Sequence, residues 1–365
     1  MRPVGVGVIG CGNISSAYLT AAKKFPILNL IALSDANLAA AEARSAEFDV
    51  PARSVDALLA DPAIEIILNL TVPNAHVEVG LKALAAGKHV HSEKPLGVTV
   101  AEARRLVEAA AARGLRLGSA PDTFLGGSHQ TARRAIDEGL IGRPIGGSAF
   151  FMCPGHERWH PNPGFYYLKG GGPMLDMGPY YVTDLINLLG PVASVSSVAT
   201  RTRSERIVTS QPLAGARIPV EVATHVAGIL TFVSGAAVTM TMSFDVARHR
   251  HGPIELYGEA GSLIVPDPNR FDGKVEFATA ADDWREIPTL GPYADGNYRI
   301  LGLADMAQAI RTGRPHRASG ELAFHVLEVM EAFQTSSDAG EAVQISTRPE
   351  RPAPLPATLS VGELD

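Results

Sequence analysis

A glycine-rich turn near the amino end constrains this chain more than any other feature. Residues 5–25, "GVGVIGCGNISSAYLTAAKKF", join a strand-like apolar run to a helical pattern through the turn "GCGNIS". In such a turn the first glycine permits a tight bend, the second lets backbone approach a pyrophosphate, and a small third residue lets the helix pack closely on the strand. The turn predicts a dinucleotide site whose phosphates meet N–H groups at the positive helix end. The residues expected to line it are Gly10, Gly12, Asn13 and Ile14.

Strand-like and helical patterns alternate from residue 4 to about residue 120. The predicted strands are 4–10, 28–34, 65–70, 88–92 and 115–119, and the predicted helices are 13–24, 37–47, 74–86 and 99–113. The last helix has a capping-box pattern at Thr99 and Glu102, and Gly114 stands where a left-handed cap is needed. The alternation predicts an α/β fold with a doubly wound parallel sheet, in a domain over residues 1–121.

Asp35 follows the second predicted strand, at the position where such folds place an acidic residue. A carboxylate there can accept hydrogen bonds from an adenosine ribose diol and would repel a 2′-phosphate. Since no arginine follows Asp35 before Arg44, the pattern favours NAD over NADP. A role for Asp35 as a cap of the following helix is compatible with this interpretation.

The pattern changes after residue 121. Residues 226–244 predict two strands about a turn at Ser234 and Gly235, and residues 254–265 predict two more. We therefore expect a second, α+β domain over residues 122–347 with a large, mostly antiparallel open sheet and late helices at 299–312 and 320–334. Residues 348–365 are rich in proline, which predicts an extended or disordered tail.

Composition excludes several classes of protein. The chain has 365 residues with a net charge of −6 and no run of lysine or arginine, which argues against nucleic-acid and membrane-surface partners. It has no apolar run of about 18 residues, the length of a membrane span. Cys11 and Cys153 are expected to be reduced thiols, and the amino end lacks the pattern of a signal peptide, so we expect a cytoplasmic protein.

Three further motifs identify a resemblance. A T-x-P-N-x-x-H pattern begins at Thr71, an E-K-P triplet begins at Glu93, and "GGGPMLDMGPYYVTDLINLLG" covers residues 170–190. Together with the glycine turn, these resemble the Gfo/Idh/MocA oxidoreductases over residues 4 to about 347. The resemblance implies a Rossmann domain, a second domain that often forms homodimer or homotetramer contacts, and hydride exchange between NAD(P) and a sugar, cyclitol or sugar derivative.

The resemblance also implies roles for individual residues. Those expected to bind the dinucleotide are Thr71, Pro73, Asn74, His76, Glu93, Lys94 and Pro95, and the Lys94–Pro95 bond is expected to be cis. Asp176 matches the active-site aspartate of the family, Asp184 matches the later aspartate of the same helix, and both are expected to contact substrate, as is Tyr180 between them.

The chain departs from the family pattern at Tyr180, where many relatives carry histidine as the presumed acid/base. Asp176, Tyr180 and Asp184 still share one helix face. A phenol has a reference pKa of about 10, so it is a poor base near pH 7 unless a cation such as Lys94 assists it. Three alternatives stay open: Lys94 is the proton donor and acceptor while Tyr180 and Asp176 orient substrate, Tyr180 is the acid/base assisted by Lys94, or a histidine from elsewhere takes the role.

A loop before the triple glycine offers candidates for substrate contact. Residues 153–172 contain His156, Trp159 and His160, and aromatic faces with imidazoles are typical of a sugar pocket. The same aromatics could instead anchor a long loop with solvated histidines. Asp122, just past the last predicted Rossmann strand, is a further substrate candidate, although a local turn explains it nearly as well.

No side-chain spacing typical of a metal site is present, and oxidation of a carbinol by NAD needs no metal when lysine supplies the positive charge. Two other functions stay open for such a chain. One is glycoside hydrolysis or elimination through transient oxidation by tightly held NAD, and the other is non-catalytic NAD binding.

Overall fold

The structure, a computed structural model, describes residues 2–365 and divides into two compact units. The first unit contains residues up to Gln130 together with Leu290–Leu327 and Pro352–Asp365, and the second contains Thr131–Thr289 and Glu328–Arg351. The predicted domains, divided at residues 121 and 347, are continuous segments of the chain. The observed units are not, because residues 290–327 and most of the predicted tail belong to the first unit. No helix among residues 2–365 has both the length and the apolar character to cross a membrane.

The first unit contains a five-stranded parallel sheet. Its strands are Val4–Ile9 (β1), Leu28–Ser34 (β2), Ile66–Asn69 (β3), His89–Ser92 (β4) and Leu117–Ser119 (β5). They lie in the order β2-β1-β3-β4-β5, with every pairing parallel. The predicted doubly wound sheet is confirmed, and each predicted strand overlaps an observed one. Because β1 lies between β2 and β3, the loops after these strands meet at one edge of the sheet, where such folds bind ligands.

Helices follow each of these strands along the chain. They are Ser15–Ala22 (α1), Leu38–Phe48 (α2), Val55–Ala60 (α3), His76–Ala85 (α4), Val100–Ala112 (α5) and Gly127–Asp137 (α6). Thr99 caps α5 as predicted, since its side chain accepts a hydrogen bond from the amide of Glu102, and Gly114 has a left-handed φ of 63°. Helix α3 was not predicted; it is only six residues long, and Ser54 is its cap.

The second unit is built on a nine-stranded sheet with a separate two-stranded ribbon. The strands are Pro144–Met152 (β6), Val192–Thr200 (β7), Glu205–Ile207 (β8), Arg217–Pro219 (β9), His225–Phe232 (β10), Ala237–Ser243 (β11), Ile254–Gly258 (β12), Ser262–Val265 (β13), Val275–Ala278 (β14), Arg285–Ile287 (β15) and Val343–Gln344 (β16). The large sheet has the order β15-β14-β13-β12-β6-β11-β10-β7-β16, and β8 pairs with β9. All pairings are antiparallel except β6 with β11, which confirms the mostly antiparallel prediction.

The predicted alternation on β11 holds for its apolar face. Val238, Met240 and Met242 are fully buried. The opposite face is polar but not wholly exposed, since Ser243 is also buried. Its hydroxyl group accounts for this, because it bonds to the His225 ring at 2.9 Å and accepts from the amide of Asp245 at 3.1 Å.

Three further helices complete the chain: Pro173–Leu189 (α7), Leu301–Thr312 (α8) and Gly320–Ala339 (α9). The predicted late helices are present, and α9 extends five residues beyond the predicted end at residue 334. Side-chain contacts explain why α8 and the tail belong to the first unit. The buried Asp122 carboxylate accepts the amides of Ile300 and Gly302, each at 2.9 Å, and Arg317 donates to the carbonyl of Ala353 at 3.0 Å.

Candidate functional site

The glycine turn lies between β1 and α1, as the sequence predicts. Gly10 has a φ of 108°, and a Cβ added there would lie 2.5 Å from the backbone of Leu70, so a side chain is excluded. Gly12 is different, because a Cβ added there would meet nothing within 4 Å. The surface at Gly12 is therefore open to an approaching group. Ser15 is buried and donates to the Gly12 carbonyl at 2.6 Å, which keeps the start of α1 against the turn.

Asp35 fixes the turn to the end of β2. One carboxylate oxygen accepts the amide of Cys11 at 2.7 Å, and the other accepts the amide of Asn37 at 2.7 Å. The cap position of α2 is Asn37 rather than Asp35. Asp35 therefore does not cap the helix itself but binds the amide of the cap residue. The amide of Cys11 is thus already bonded, and a ribose contact at Asp35 stays a prediction.

Arg44 also reaches the glycine turn. Its Nε donates to the hydroxyl of Ser15 at 3.1 Å, and its guanidinium forms an ion pair with Glu47. In the sequence, Arg44 bears only on the choice between NAD and NADP. In the structure, Arg44 extends from α2 and holds the turn through Ser15.

The loop after β3 is connected to the E-K-P triplet through His76. This fully buried ring bonds to the Pro95 carbonyl through Nδ1 at 2.7 Å and to the Thr71 carbonyl through Nε2 at 2.9 Å. Burial lowers the pKa of His76, and the hydrogen bonds to the two carbonyl oxygens oppose that change. His76 therefore joins the loop after β3 to the triplet. Pro73 and Asn74 lie in a short 3-10 helix directly before α4.

The triplet itself is held in place by hydrogen bonds. The Glu93 carboxylate accepts the hydroxyl of Tyr18 at 2.6 Å and the amide of Lys94 at 2.8 Å. The Lys94–Pro95 bond is cis, as expected. The Lys94 side chain is half-buried. Tyr18 was not predicted, and neither was the buried Asn69, which accepts the Thr71 hydroxyl at 2.7 Å.

These residues fit a dinucleotide. The turn presents an open backbone surface at Gly12, no side chain caps α1 at Ile14, and Asp35 lies at the end of the neighbouring strand. An anionic pyrophosphate is stabilised by such an uncapped helix start, because the amide dipoles point toward it.

The second unit contains the other predicted residues, beginning with α7. Asp176 is half-buried in the first turn of this helix, Tyr180 is 8% exposed, and Asp184 is fully buried. The Asp184 carboxylate accepts the side-chain amide of Asn187 at 3.3 Å. Their shared helix is confirmed, whereas substrate contact by Tyr180 and Asp184 stays a prediction.

His156 contacts Asp176. Its Nε2 lies 3.1 Å from Oδ2 of Asp176, and its Nδ1 accepts the indole N–H of Trp159 at 3.2 Å. Trp159 itself is 60% exposed, so one side chain of this bonded pair is buried and the other lies at the surface. His160 lies further out, and burial against its neighbours lowers its pKa.

A charged network surrounds Glu157, the residue after His156. The Tyr167 hydroxyl bonds to the Glu157 carboxylate, and Arg206 donates to Glu157 at 3.0 Å and also pairs with Asp245. Arg206 is 2% exposed, so the carboxylates of Glu157 and Asp245 replace water in stabilising its charge. Sequence alone gave no sign of this network, because its members lie far apart in the chain.

Asp122 has a structural role in the first unit. It is 1% exposed, and its Oδ2 holds the amides of Ile300 and Gly302 at the start of α8. Burial raises the pKa of this carboxyl, and the two amides oppose that change. The observed partners are distant in sequence, so a local turn does not account for Asp122. A substrate contact by Asp122 stays a prediction.

Comparison with known families gives two matches along the chain. Residues 4–120 match the model described as "Oxidoreductase family, NAD-binding Rossmann fold", and residues 129–264 match the GFO/IDH/MocA C-terminal domain. Together they cover more than half of the sequence and correspond to the order of elements described above.

Individual relatives agree with these matches. A levoglucosan dehydrogenase of Pseudarthrobacter phenanthrenivorans is 25% identical over 339 residues, covering 83% of this chain and 85% of that protein. A 1,5-anhydro-D-fructose reductase of Ensifer adhaerens is 32% identical over 177 residues, covering 47% of this chain and 52% of that protein.

Solved structures show the same fold. An NAD-binding oxidoreductase from Klebsiella pneumoniae has a TM-score of 0.82 at 23% identity, covering 94% of this chain and 99% of that one. Levoglucosan dehydrogenase in complex with NADH and L-sorbose has a TM-score of 0.81 at 21% identity, covering 95% of this chain and 100% of that one. With the family matches to both halves, these findings show that the chain belongs to the Gfo/Idh/MocA family of oxidoreductases, whose Rossmann domain binds NAD.

Proposed function

We propose that this oxidoreductase exchanges a hydride between NAD and a carbinol or carbonyl carbon of a sugar, cyclitol or sugar derivative. Two relatives are named for reactions of sugars, levoglucosan dehydrogenase and 1,5-anhydro-D-fructose reductase, which supports this class of substrate. NAD, when bound, accepts the hydride in oxidation, and its reduced form returns it in reduction. The chain's own residues then have two tasks, to orient the substrate and to move the hydroxyl proton.

Lys94 is the residue we propose for the proton. The observation that carries this proposal is the rigid support around it: Glu93 is held by Tyr18 and by the Lys94 amide, while Pro95 is held by His76. An ammonium held in one place can donate a proton to a developing alkoxide, and the neutral amine can remove one from a hydroxyl. Tyr180 with Lys94 assistance is the alternative.

Asp176, Trp159 and His160 are proposed to orient the substrate. A carboxylate accepts hydrogen bonds from sugar hydroxyl groups, and the flat indole of Trp159 can cover apolar C–H faces. The 60% exposure of Trp159 leaves that face accessible.

An absorbance screen at the NADH band tests the reaction class. We expect NADH formation with at least one member of a panel of cyclitols, aldoses, anhydrosugars and sugar acids. Cofactor that stays bound through purification without net NADH formation would favour NAD-assisted glycoside chemistry instead. Binding of NAD with no reaction in either direction would favour a non-catalytic NAD-binding protein.

Replacing Lys94 with methionine tests the proton role. We expect Lys94→Met to lower kcat by roughly 10²–10⁴-fold, the usual contribution of general acid–base catalysis, while NAD binding is kept. Lys82→Met is a matched control, because Lys82 is exposed on α4 and paired only with Glu78. Equal turnover of the Lys94→Met and wild-type enzymes would remove Lys94 from the mechanism.

We also propose that the chain forms a homodimer or homotetramer through the outer face of the large sheet. Val198 on β7 is 63% exposed and Ile229 on the adjacent β10 is 47% exposed, so neighbouring strands present apolar side chains. Light scattering after size exclusion would give the mass. A monomer at micromolar concentration, or a mass unchanged by Ile229→Glu, would contradict this face as the contact.

A cytoplasmic location is proposed from the cysteines. Cys11 and Cys153 are both free, and burial raises the pKa of each thiol to about 11, so they stay protonated near pH 7. Fractionation of the source cells would test this location, and recovery in an extracytoplasmic fraction would contradict it.

A further inference from the structure

The hydrogen bonds of His156 define which of its ring nitrogens carries the proton. The indole N–H of Trp159 can only donate, so Nδ1 of His156 must be the acceptor of that 3.2 Å bond. A neutral imidazole then carries its proton on Nε2, which lies 3.1 Å from the Asp176 carboxylate. The three side chains form a directed series in which the indole donates to the imidazole and the imidazole donates to the carboxylate.

The position of the ring is fixed independently of these two bonds. The backbone amide of His156 donates to the Tyr167 hydroxyl at 3.0 Å. The rings of Tyr166 and Phe244 lie 4.4 Å and 4.5 Å from the imidazole, centroid to centroid, and His156 as a whole is 7% exposed. The imidazole therefore has little freedom to turn away from Asp176.

The buried ion pairs beside His156 hold its loop. Glu157, the next residue, is bonded by Tyr167 and by Arg206, and Arg206 also donates to the Phe244 carbonyl at 3.1 Å. The same network thus supports the backbone of His156 and the ring that packs against it. Such support is what holds a side chain within the small tolerance that catalysis requires.

We propose that His156 is the positioning residue for Asp176, supplied from the β6–α7 loop in a chain that has tyrosine at position 180. This inference rests on the proposed function and deepens it. Because both ring nitrogens are engaged, His156 does not itself take the substrate proton. It donates one hydrogen bond that keeps the Asp176 carboxylate in one orientation, so that the carboxylate can accept a hydroxyl group of the substrate.

A double-mutant cycle tests the coupling. His156→Phe removes both nitrogens and keeps an aromatic ring. We expect it to lower kcat/KM for the carbohydrate by about tenfold to hundredfold, the range for losing a hydrogen bond to a charged group, while the KM for NAD is unchanged. In an Asp176→Asn background the same change should have less than about a threefold effect, since the two residues act as a unit.

His156→Gln provides the conservative variant, because its amide can still donate to Asp176. We expect part of the lost activity to return, and this variant also serves if His156→Phe does not fold. His249→Phe is the matched control, since His249 is exposed and bonds to the Met152 carbonyl rather than to Asp176. Full activity of His156→Phe, or additive losses in the Asp176→Asn background, would overturn the inference without affecting the proposed function.

The tautomer gives a readout that does not require activity. Imidazole nitrogen NMR of the wild-type protein should show neutral His156 protonated on Nε2, and Asp176→Asn should shift that Nε2–H signal. A proton on Nδ1, or a signal insensitive to Asp176→Asn, would overturn the inference. A wild-type protein that shows this signal but oxidises no carbohydrate would instead contradict the proposed function and, with it, the role of His156 in positioning for this reaction.

Discussion

The glycine turn of the first unit and the His156 region of the second are built in different ways. The turn is shaped mainly by backbone: a left-handed Gly10, an open Gly12 and a carboxylate that accepts the Cys11 amide. The His156 region is shaped by side chains from distant parts of the sequence, since Asp176, Arg206 and Phe244 all contribute.

This difference explains how each region tolerates change. The conformation of the turn depends on Gly10, where the Leu70 backbone excludes a side chain, whereas the His156 region depends on buried polar side chains that bond to one another. In the first case the conformation is lost, and in the second a charge or hydrogen-bond partner is left unpaired. Each of the following experiments asks whether this distinction is correct.

The largest effect on stability is expected at Arg206. Arg206→Met keeps much of the volume but leaves the carboxylates of Glu157 and Asp245 without their cation. We expect the free energy of unfolding to fall by about 3–5 kcal/mol, as for other buried ion pairs that lose one partner. Urea unfolding measures this. Since Arg217 forms its ion pair at the surface, Arg217→Met is the control and should change stability by about 1 kcal/mol or less. Similar values for the two variants would show that the buried network is not needed.

Two glycine substitutions separate conformation from binding in the turn. Gly10→Ala places a methyl group 2.5 Å from the Leu70 backbone at a φ of 108°, so we expect a loss of about 2–4 kcal/mol in stability. Gly12→Ala meets no protein atom within 4 Å, so stability should change little while NAD affinity falls at least about tenfold. Calorimetry and thermal unfolding measure both. Normal NAD affinity in Gly12→Ala would place the pyrophosphate elsewhere.

The sequence predicted the first region well because its signals are local. Residues 28–34 form a strand with the predicted bounds, since a short, mostly apolar run between two helical patterns is typical of a parallel strand. The short helix α3 was missed, because six residues carry too little periodicity.

The second region was predicted only in outline. His156 stayed one of several candidates, because nothing in its neighbourhood indicates that it meets Asp176, twenty residues away along the chain. Asp122 shows the same limit at greater distance, since its partners Ile300 and Gly302 lie more than 170 residues further on. Pairings of this kind depend on the assembled fold rather than on spacing.

His76 allows a test of whether the first region also depends on side chains. His76→Ala removes the group between the Thr71 and Pro95 carbonyls and leaves a cavity. We expect stability to fall by about 1–3 kcal/mol, and kcat to fall with it as the triplet loses its support. Thermal unfolding and steady-state kinetics measure the two. Since His89 lies on β4 and is half-buried, His89→Ala is the control, with a smaller effect on kcat. A stable His76→Ala variant with reduced kcat would sharpen the comparison, because it would assign His76 to positioning alone.

The smallest expected effect is a pH dependence in the first unit. Hydrogen bonds from Arg311 lower the pKa of Glu65 from its reference value of 4.5 to about 2. A depressed folded-state pKa contributes stability that is present above the unfolded value and is lost as pH falls through the folded one. Wild type should therefore be more stable than Glu65→Gln near pH 7, and the difference should shrink between about pH 4.5 and pH 2. Because the pair is partly exposed, added salt should weaken it. Urea unfolding at pH 7, 4 and 3 measures the change, and a difference that stays constant over this range would remove Glu65 from the acid sensitivity of the protein.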